Sequence, residues 1–126
     1  MADVEVNVDH VFSVELDPRK RNFMSKMLEV PAIFRDVCQL HGPSALNYRD
    51  DPPRHRNIPK VKIGVGGFPC KDVSFLNTRR KQMSSVVRQR RSKTGTAFAG
   101  ILEYVQSHSS AFLFLLLENV MGLVVN

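Results

Sequence analysis

Cys70 lies in a segment that could present a reactive thiol. It follows Gly-Gly-Phe-Pro at residues 66–69, where the glycines permit backbone conformations closed to other residues and the proline restricts the chain just before the cysteine. A thiolate is a soft nucleophile that can form a covalent intermediate. A second polar segment, Glu118-Asn119, follows an apolar run. These two segments are the first candidates for an active site, with Cys70 as its nucleophile.

Four apolar runs predict the strands that position these residues. They cover residues 11–16, 32–37, 61–65 and 111–117. The last run is continuously apolar, as expected for a strand buried on both faces of a largely parallel sheet.

Two helices and two long loops are predicted between these strands. Asp17-Pro18 supplies a cap followed by a proline at the first helical position, and the helix after it has an apolar face formed by Phe23, Met24, Met27 and Leu28. A second helix is predicted over residues 96–106, with Thr94 or Thr96 as its cap. Loops are predicted over residues 39–59 and 71–93.

The polar and reactive residues fall at the carboxyl ends of the predicted strands. In an α/β sheet, ligands gather at this edge. The residues at such ends are Glu15, Asp36, Cys70 and Glu118-Asn119. The order of elements therefore predicts an α/β fold with its functional edge at these positions.

Gly-Phe-Pro-Cys at residues 67–70 and Glu-Asn-Val at residues 118–120 resemble the two most diagnostic motifs of the cytosine carbon-5 DNA methyltransferases. The resemblance implies that Cys70 attacks carbon 6 of a flipped-out cytosine. It implies that Glu118 holds the base and assists protonation at ring nitrogen 3, and that Asn119 supports the loop after Pro69. Carbon 5 of the ring would then take a methyl group from S-adenosylmethionine.

The same resemblance implies a binding site for the cofactor S-adenosylmethionine. Val14-Glu15 is similar to the family's second motif, whose acid binds the ribose hydroxyls, and Asp36-Val37 is similar to the third, whose aspartate meets the adenine. The family's first motif, a glycine turn after the first strand, has no counterpart in this sequence. We therefore expect residues 1–126 to form a partial catalytic domain with an incomplete Rossmann-like sheet, lacking the first strand and the C-terminal target-recognition part. Adjacent sequence would supply the missing parts, and the chain alone would be inactive and poorly stable.

A basic segment between Asp72 and Glu103 predicts a nucleic-acid partner. It has no acid and seven cations, while the whole chain has a formal net charge of +6. Cations beside a base-flipping pocket can contact backbone phosphates, whereas the alternative is a solvated loop. The residues predicted to bind nucleic acid are Ser74, Arg79, Arg80, Lys81, Arg88, Arg90 and Arg91.

The remaining features narrow the class of protein. A secretory signal and an apolar run of roughly 20 residues are both missing from the sequence, so we expect an intracellular protein without a membrane partner, nuclear if the source is eukaryotic and otherwise cytoplasmic. The four histidines and two cysteines lack metal-ligand spacing, so no metal is expected. Two alternatives stay open. One is a tRNA cytosine methyltransferase of the same fold, and the other is an inactive basic remnant that binds nucleic acid.

Overall fold

The described part of the chain forms a mixed α/β fold with two small sheets and two α-helices. A computed structural model describes residues 7–74, 76–79, 90 and 92–119. The first sheet has the strand order β1 (Phe12–Val14), β2 (Ala32–Phe34), β3 (Ser44–Asn47) and β4 (Arg54–Asn57). The second sheet pairs β5 (Ile63–Gly67) with β6 (Phe114–Glu118). The helices are α1 (Pro18–Met27) and α2 (Lys93–Ser107). The α/β class is as predicted, and each predicted strand is present with shifted ends.

The first sheet contains a hairpin where the sequence predicts only a loop. β1 and β2 are parallel, but β3 is antiparallel to both β2 and β4. The prediction of a loop over residues 39–59 is therefore wrong for β3 and β4. The buried Asn47 explains the hairpin, because its Oδ1 accepts from Ile33 N at 2.7 Å and its Nδ2 donates to Asp50 Oδ2 at 3.1 Å. Asp50 in turn forms an ion pair with Arg56 of β4 at 2.8 Å.

Helix α1 begins as predicted, but its apolar face is not buried. Asp17 Oδ1 accepts from Arg19 N at 2.7 Å, and Pro18 is the first helical residue. Within α1, all of which is described, no residue is buried. Phe23 and Met27 are each 64% exposed. The predicted apolar stripe is therefore packed only in part, because Met24 and Leu28 are partly buried whereas Phe23 and Met27 are exposed.

Helix α2 starts earlier than predicted and carries part of the core. Its cap is Ser92, whose side chain accepts from Gly95 N at 3.1 Å, so the prediction of Thr94 or Thr96 as the cap is wrong. The physical reason is that the helix continues back to Lys93 and buries Thr94 completely. The main core cluster joins this helix to the first sheet through Ala32, Phe34, Leu40, Ala45, Ile58 and Tyr104.

Tyr104 is the main contact of α2 with the core. Its ring packs edge-on against Phe12 at 5.8 Å and Phe112 at 5.6 Å between centroids, and its hydroxyl donates to Pro59 O at 3.0 Å. Burial raises the pKa of Tyr104 to about 12. The neutral hydroxyl is therefore the form that the core stabilises.

The parallel pair β5–β6 is covered on one face and open on the other. A Cβ placed at Gly66 would lie 3.8 Å from Ile101 Cδ1, so α2 packs against that face. On the other face Val65 is 74% exposed, and Ile63, Phe114 and Leu116 are also exposed. The prediction that the strand at 111–117 is buried on both faces is therefore wrong for the described chain, and the strand itself covers Phe114–Glu118. Among the helices described, none has the length and apolar character to cross a membrane.

Candidate catalytic site

The register of β5 and β6 brings the cysteine turn to the glutamate. Gly67, three residues before Cys70, is the pairing partner of Glu118. A Cβ at Gly67 would lie 3.4 Å from Glu118 Oε2, so the carboxylate passes close over the glycine backbone. A parallel pair ends both strands at the same edge, which is why residues far apart in sequence meet here. Cys70 is half-buried and its thiol is free.

The turn that carries Cys70 is held from two sides. Asn119 Nδ2 donates to Phe68 O at 2.9 Å, which ties the end of β6 to the turn. The buried Phe68 ring packs against Phe98 of α2, with 5.1 Å between centroids. A side-chain amide and an aromatic contact thus both position Phe68, the residue that precedes Pro69-Cys70.

Hydrogen bonds close the turn that follows Cys70. The carbonyl of Cys70 accepts from Val73 N at 3.0 Å and from Ser74 N at 2.8 Å, and the Val73 side chain is buried. Asn77 Nδ2 donates to Lys71 O at 2.7 Å. The sequence predicts a loop in this region, and its first part is anchored by one apolar side chain and these backbone contacts.

Leu76 is a residue of this loop that the sequence reasoning did not single out. Its side chain is 95% exposed, although it lies only six residues after Cys70. Leu76 N donates to Ser74 Oγ at 3.3 Å, which helps to hold the turn. The available signal was a single leucine within the polar and basic segment 71–93.

The two predicted cofactor acids lie at one edge of the first sheet. Glu15 and Asp36 follow the paired residues Val14 and Phe34 of the parallel strands β1 and β2. Glu15 Oε1 accepts from Asp17 N at 2.8 Å, and Glu15 N donates to Phe34 O at 3.1 Å. The parallel pairing therefore brings both acids to the same end of the sheet.

The sequence predicts a strand over residues 32–37, but Asp36 and Val37 do not continue it. β2 ends at Phe34, and Asp36 caps a 3₁₀ helix, Val37–Gln39, by accepting from Cys38 N at 3.0 Å. The aspartate side chain competes with strand pairing by bonding to the backbone two residues later. The Asp36 carboxylate is thereby held at the start of the 3₁₀ helix.

Cys38 has an environment that suppresses its reactivity. Its thiol donates to Thr96 O of α2 at 3.5 Å. Burial raises the pKa of the Cys38 thiol, and the nearby Asp36 carboxylate raises it further. The thiolate is the nucleophilic form, so this cysteine stays protonated and unreactive near neutral pH.

The residues predicted to bind nucleic acid differ in their exposure and in their contacts. Ser74 takes part in the turn described above, and Arg79 is exposed with its backbone N donating to Asn77 Oδ1 at 2.9 Å. Arg90 pairs with Glu103 of α2 at 2.5 Å, so its charge is partly compensated. Four of the predicted residues lie outside the described part of the chain: Arg80, Lys81, Arg88 and Arg91. Val120 of the Glu-Asn-Val motif lies outside it as well.

Within the part described, no cluster of three or more His, Cys, Asp or Glu side chains could hold a metal ion.

Comparison with known proteins agrees with the motif resemblance. No family model matches the chain. The chain is 30% identical to DNA (cytosine-5-)-methyltransferase DMT5 of Cryptococcus neoformans var. grubii in an alignment of 115 positions that covers 89% of the chain. It spans only 4% of the length of that protein. At this low identity, the similarity supports a relationship of the chain to the cytosine-5 DNA methyltransferases.

Proposed function

We propose that this chain is part of a DNA cytosine carbon-5 methyltransferase that uses Cys70 as its covalent nucleophile. The observation that supports the proposal is the pairing of Gly67, three residues before Cys70, with Glu118 in the parallel strands β5 and β6. The similarity to a DNA (cytosine-5-)-methyltransferase supports it independently. With DNA as the substrate, the protein would act in the nucleus of a eukaryote or in the cytoplasm of a prokaryote.

The proposed reaction assigns one step to each side chain. The Cys70 thiolate forms a bond to carbon 6 of the flipped cytosine, and the ring electrons move so that carbon 5 becomes nucleophilic. Glu118 donates a proton to ring nitrogen 3 as negative charge develops there. When bound, S-adenosylmethionine would supply the methyl group to carbon 5 and would leave as S-adenosylhomocysteine. Water would then take the carbon-5 proton, and the electrons of that C–H bond would form the double bond between carbons 5 and 6 as the bond from carbon 6 to sulfur breaks. Cys70 would leave as the thiolate, and ring nitrogen 3 would return its proton to Glu118.

Glu15, Asp36 and Val37 would hold the cofactor. Two carboxylates at the end of a parallel strand pair can accept hydrogen bonds from ribose hydroxyls and from an adenine amino group, which fits S-adenosylmethionine. The Cys38 amide already orients the Asp36 carboxylate at 3.0 Å. Val37 is partly buried against the core, and the exposed part of the residue would lie beside the adenine.

Residues 1–126 would form a partial catalytic domain of Rossmann-like type. The parallel pairs β1–β2 and β5–β6 support this proposal, because parallel pairing is the pattern of such sheets. The open apolar face of β5–β6 supports it also, since unburied aliphatic side chains on a strand pair need a covering layer. Adjacent sequence would provide the first strand, its glycine turn and the target-recognition part.

Transfer of a tritiated methyl group tests the proposal in the full-length protein. We expect label to enter duplex DNA and to be absent from DNA treated with the Cys70→Ser variant. Label in tRNA instead of DNA would establish the alternative substrate. Label in neither, with nucleic acid still bound, would establish an inactive binding remnant.

The basic segment should make DNA binding dependent on salt. If all seven cations meet phosphates, the slope of log affinity against log salt is about −6, and replacing Arg88, Arg90 and Arg91 by alanine should make it shallower by up to about 3. Fluorescence anisotropy with a labelled duplex measures this slope. Lys26→Ala, on α1, is the control that should leave it nearly unchanged. A slope near zero in the unmodified protein would favour a solvated loop.

Leu76 should assist removal of the cytosine from the duplex. An exposed aliphatic side chain six residues after the nucleophile can enter the base stack where the flipped nucleotide leaves a gap. We expect Leu76→Ala to lower kcat/KM about tenfold on duplex DNA and much less on single-stranded DNA, which has no stack to open. Leu113→Ala removes another exposed leucine, just before β6, and should change the rate on neither substrate. Equal losses on the two DNA substrates would contradict this role.

A further inference from the structure

Gly100 marks the closest approach of α2 to the 3₁₀ turn that follows β2. A Cβ at this position would lie 2.8 Å from Cys38 Sγ, 3.0 Å from Val37 Cγ1 and 3.1 Å from Cys38 N. Among the described residues, no glycine has a positive φ, so Gly100 does not serve a special backbone conformation. A glycine inside a helix costs about 1 kcal/mol relative to alanine. The close approach is therefore the physical reason for a glycine here.

The atoms that Gly100 approaches belong to the turn that orients Asp36. Cys38 N, one of the three contacts, is also the donor to Asp36 Oδ1 at 3.0 Å. The Cys38 thiol donates to Thr96 O one helical turn earlier in α2, so the turn is clamped to the helix at two points. A backbone amide cannot swing aside as a flexible side chain can. Any added atom at Gly100 must displace the amide and the carboxylate that it holds.

The same helix also contacts the turn that carries the nucleophile. Phe98, two residues before Gly100, packs against Phe68 at 5.1 Å between centroids. Phe68 immediately precedes Pro69-Cys70. Helix α2 is thus the element that joins the Asp36 turn to the Cys70 turn.

We propose that Gly100 is a positioning residue for cofactor binding, because it lets α2 hold the Asp36 turn at a fixed distance from the Cys70 turn. The inference rests on the proposed function, in which Asp36 meets the adenosine part of the methyl donor and Cys70 meets the base. The separation of the Asp36 turn from the Cys70 turn then sets the distance between the methyl donor and the cytosine that accepts the methyl group. Displacement by a few tenths of an ångström at Asp36 weakens binding of the donor before it affects the thiol.

Gly100→Ala in the full-length protein tests this role. We expect the Kd for S-adenosylmethionine, measured by titration calorimetry, to rise about tenfold, because small misplacements of binding groups have large effects. The value of kcat at saturating donor should change by less than about threefold, since Cys70 keeps its own contacts. Gly42→Ala is the matched control, because a Cβ at Gly42 meets nothing within 4 Å. It should leave the Kd unchanged.

A second substitution separates positioning from a general loss of structure. Cys38→Ala removes the sulfur atom that lies nearest to the added Cβ, so Gly100→Ala combined with Cys38→Ala should recover part of the affinity. If Gly100→Ala alone does not fold, the double variant is compared with the single variant Cys38→Ala. We expect the double variant to bind S-adenosylmethionine more weakly, because the added Cβ still meets Val37 and the backbone amide of residue 38. An unchanged Kd in the folded variant or in this comparison overturns the positioning role. Failure of the unmodified protein to bind S-adenosylmethionine would instead overturn the proposed function.

Discussion

Duplex DNA containing 5-fluorocytosine should form a covalent adduct with the full-length protein in the presence of S-adenosylmethionine, and Cys70→Ser should abolish it. Fluorine at carbon 5 cannot leave as a proton does, so the final elimination is blocked and the bond between sulfur and carbon 6 persists. A hydroxyl is a much weaker nucleophile than a thiolate at neutral pH. The adduct is measured by its slow migration on a denaturing gel, and peptide mass spectrometry locates the modified residue.

Cys38→Ser is the matched control for this experiment, because Cys38 is the second cysteine of the chain. Its raised pKa and its hydrogen bond to Thr96 O keep the thiol protonated. We expect this variant to form the adduct at the rate of the unmodified protein. An adduct of undiminished yield in Cys70→Ser would show that another residue is the nucleophile.

Glu118→Gln should lower the rate of methyl transfer by about 100- to 10,000-fold, the range in which general acid catalysis contributes. The amide has nearly the same shape as the carboxyl group, so the close approach to Gly67 and the β5–β6 register are retained. It cannot donate a proton to ring nitrogen 3, and attack of Cys70 on carbon 6 becomes slow. Single-turnover methylation with saturating DNA and S-adenosylmethionine measures this step apart from binding.

Glu103→Gln provides the comparison for Glu118→Gln. Glu103 lies on α2, far from the Cys70 turn in the sequence, and forms an ion pair with Arg90 at 2.5 Å. We expect its substitution to leave the methylation rate within about twofold, since surface ion pairs contribute little to stability. It should also strengthen DNA binding slightly by freeing Arg90 for a phosphate. A rate in Glu118→Gln equal to that of Glu103→Gln would refute an acid role for Glu118.

The sequence alone was sufficient to predict the elements that depend on neighbouring residues. Asp17-Pro18 begins α1 as predicted, because a helix cap acts within three residues of itself. The apolar runs predict the strands β1, β2, β5 and β6 for the same reason, although their ends shift by up to three residues. The motif residues Cys70 and Glu118 could be selected as candidates because their types and order are visible in the sequence.

Tertiary structure alone decided the features that depend on distant partners. The polar segment after residue 39 forms the β3–β4 hairpin because the buried Asn47 accepts from Ile33 N, and periodicity within the segment cannot reveal that bond. The exposed face of β5–β6 likewise depends on what packs above it, so a continuously apolar run does not establish burial. Gly100 could not be distinguished from an ordinary helix-weakening glycine until its contact with Cys38 was known. The bond between Ile33 and Asn47 and the contact between Gly100 and Cys38 both join residues at least 14 positions apart in the chain, whereas sequence patterns report mainly the local preferences of the backbone.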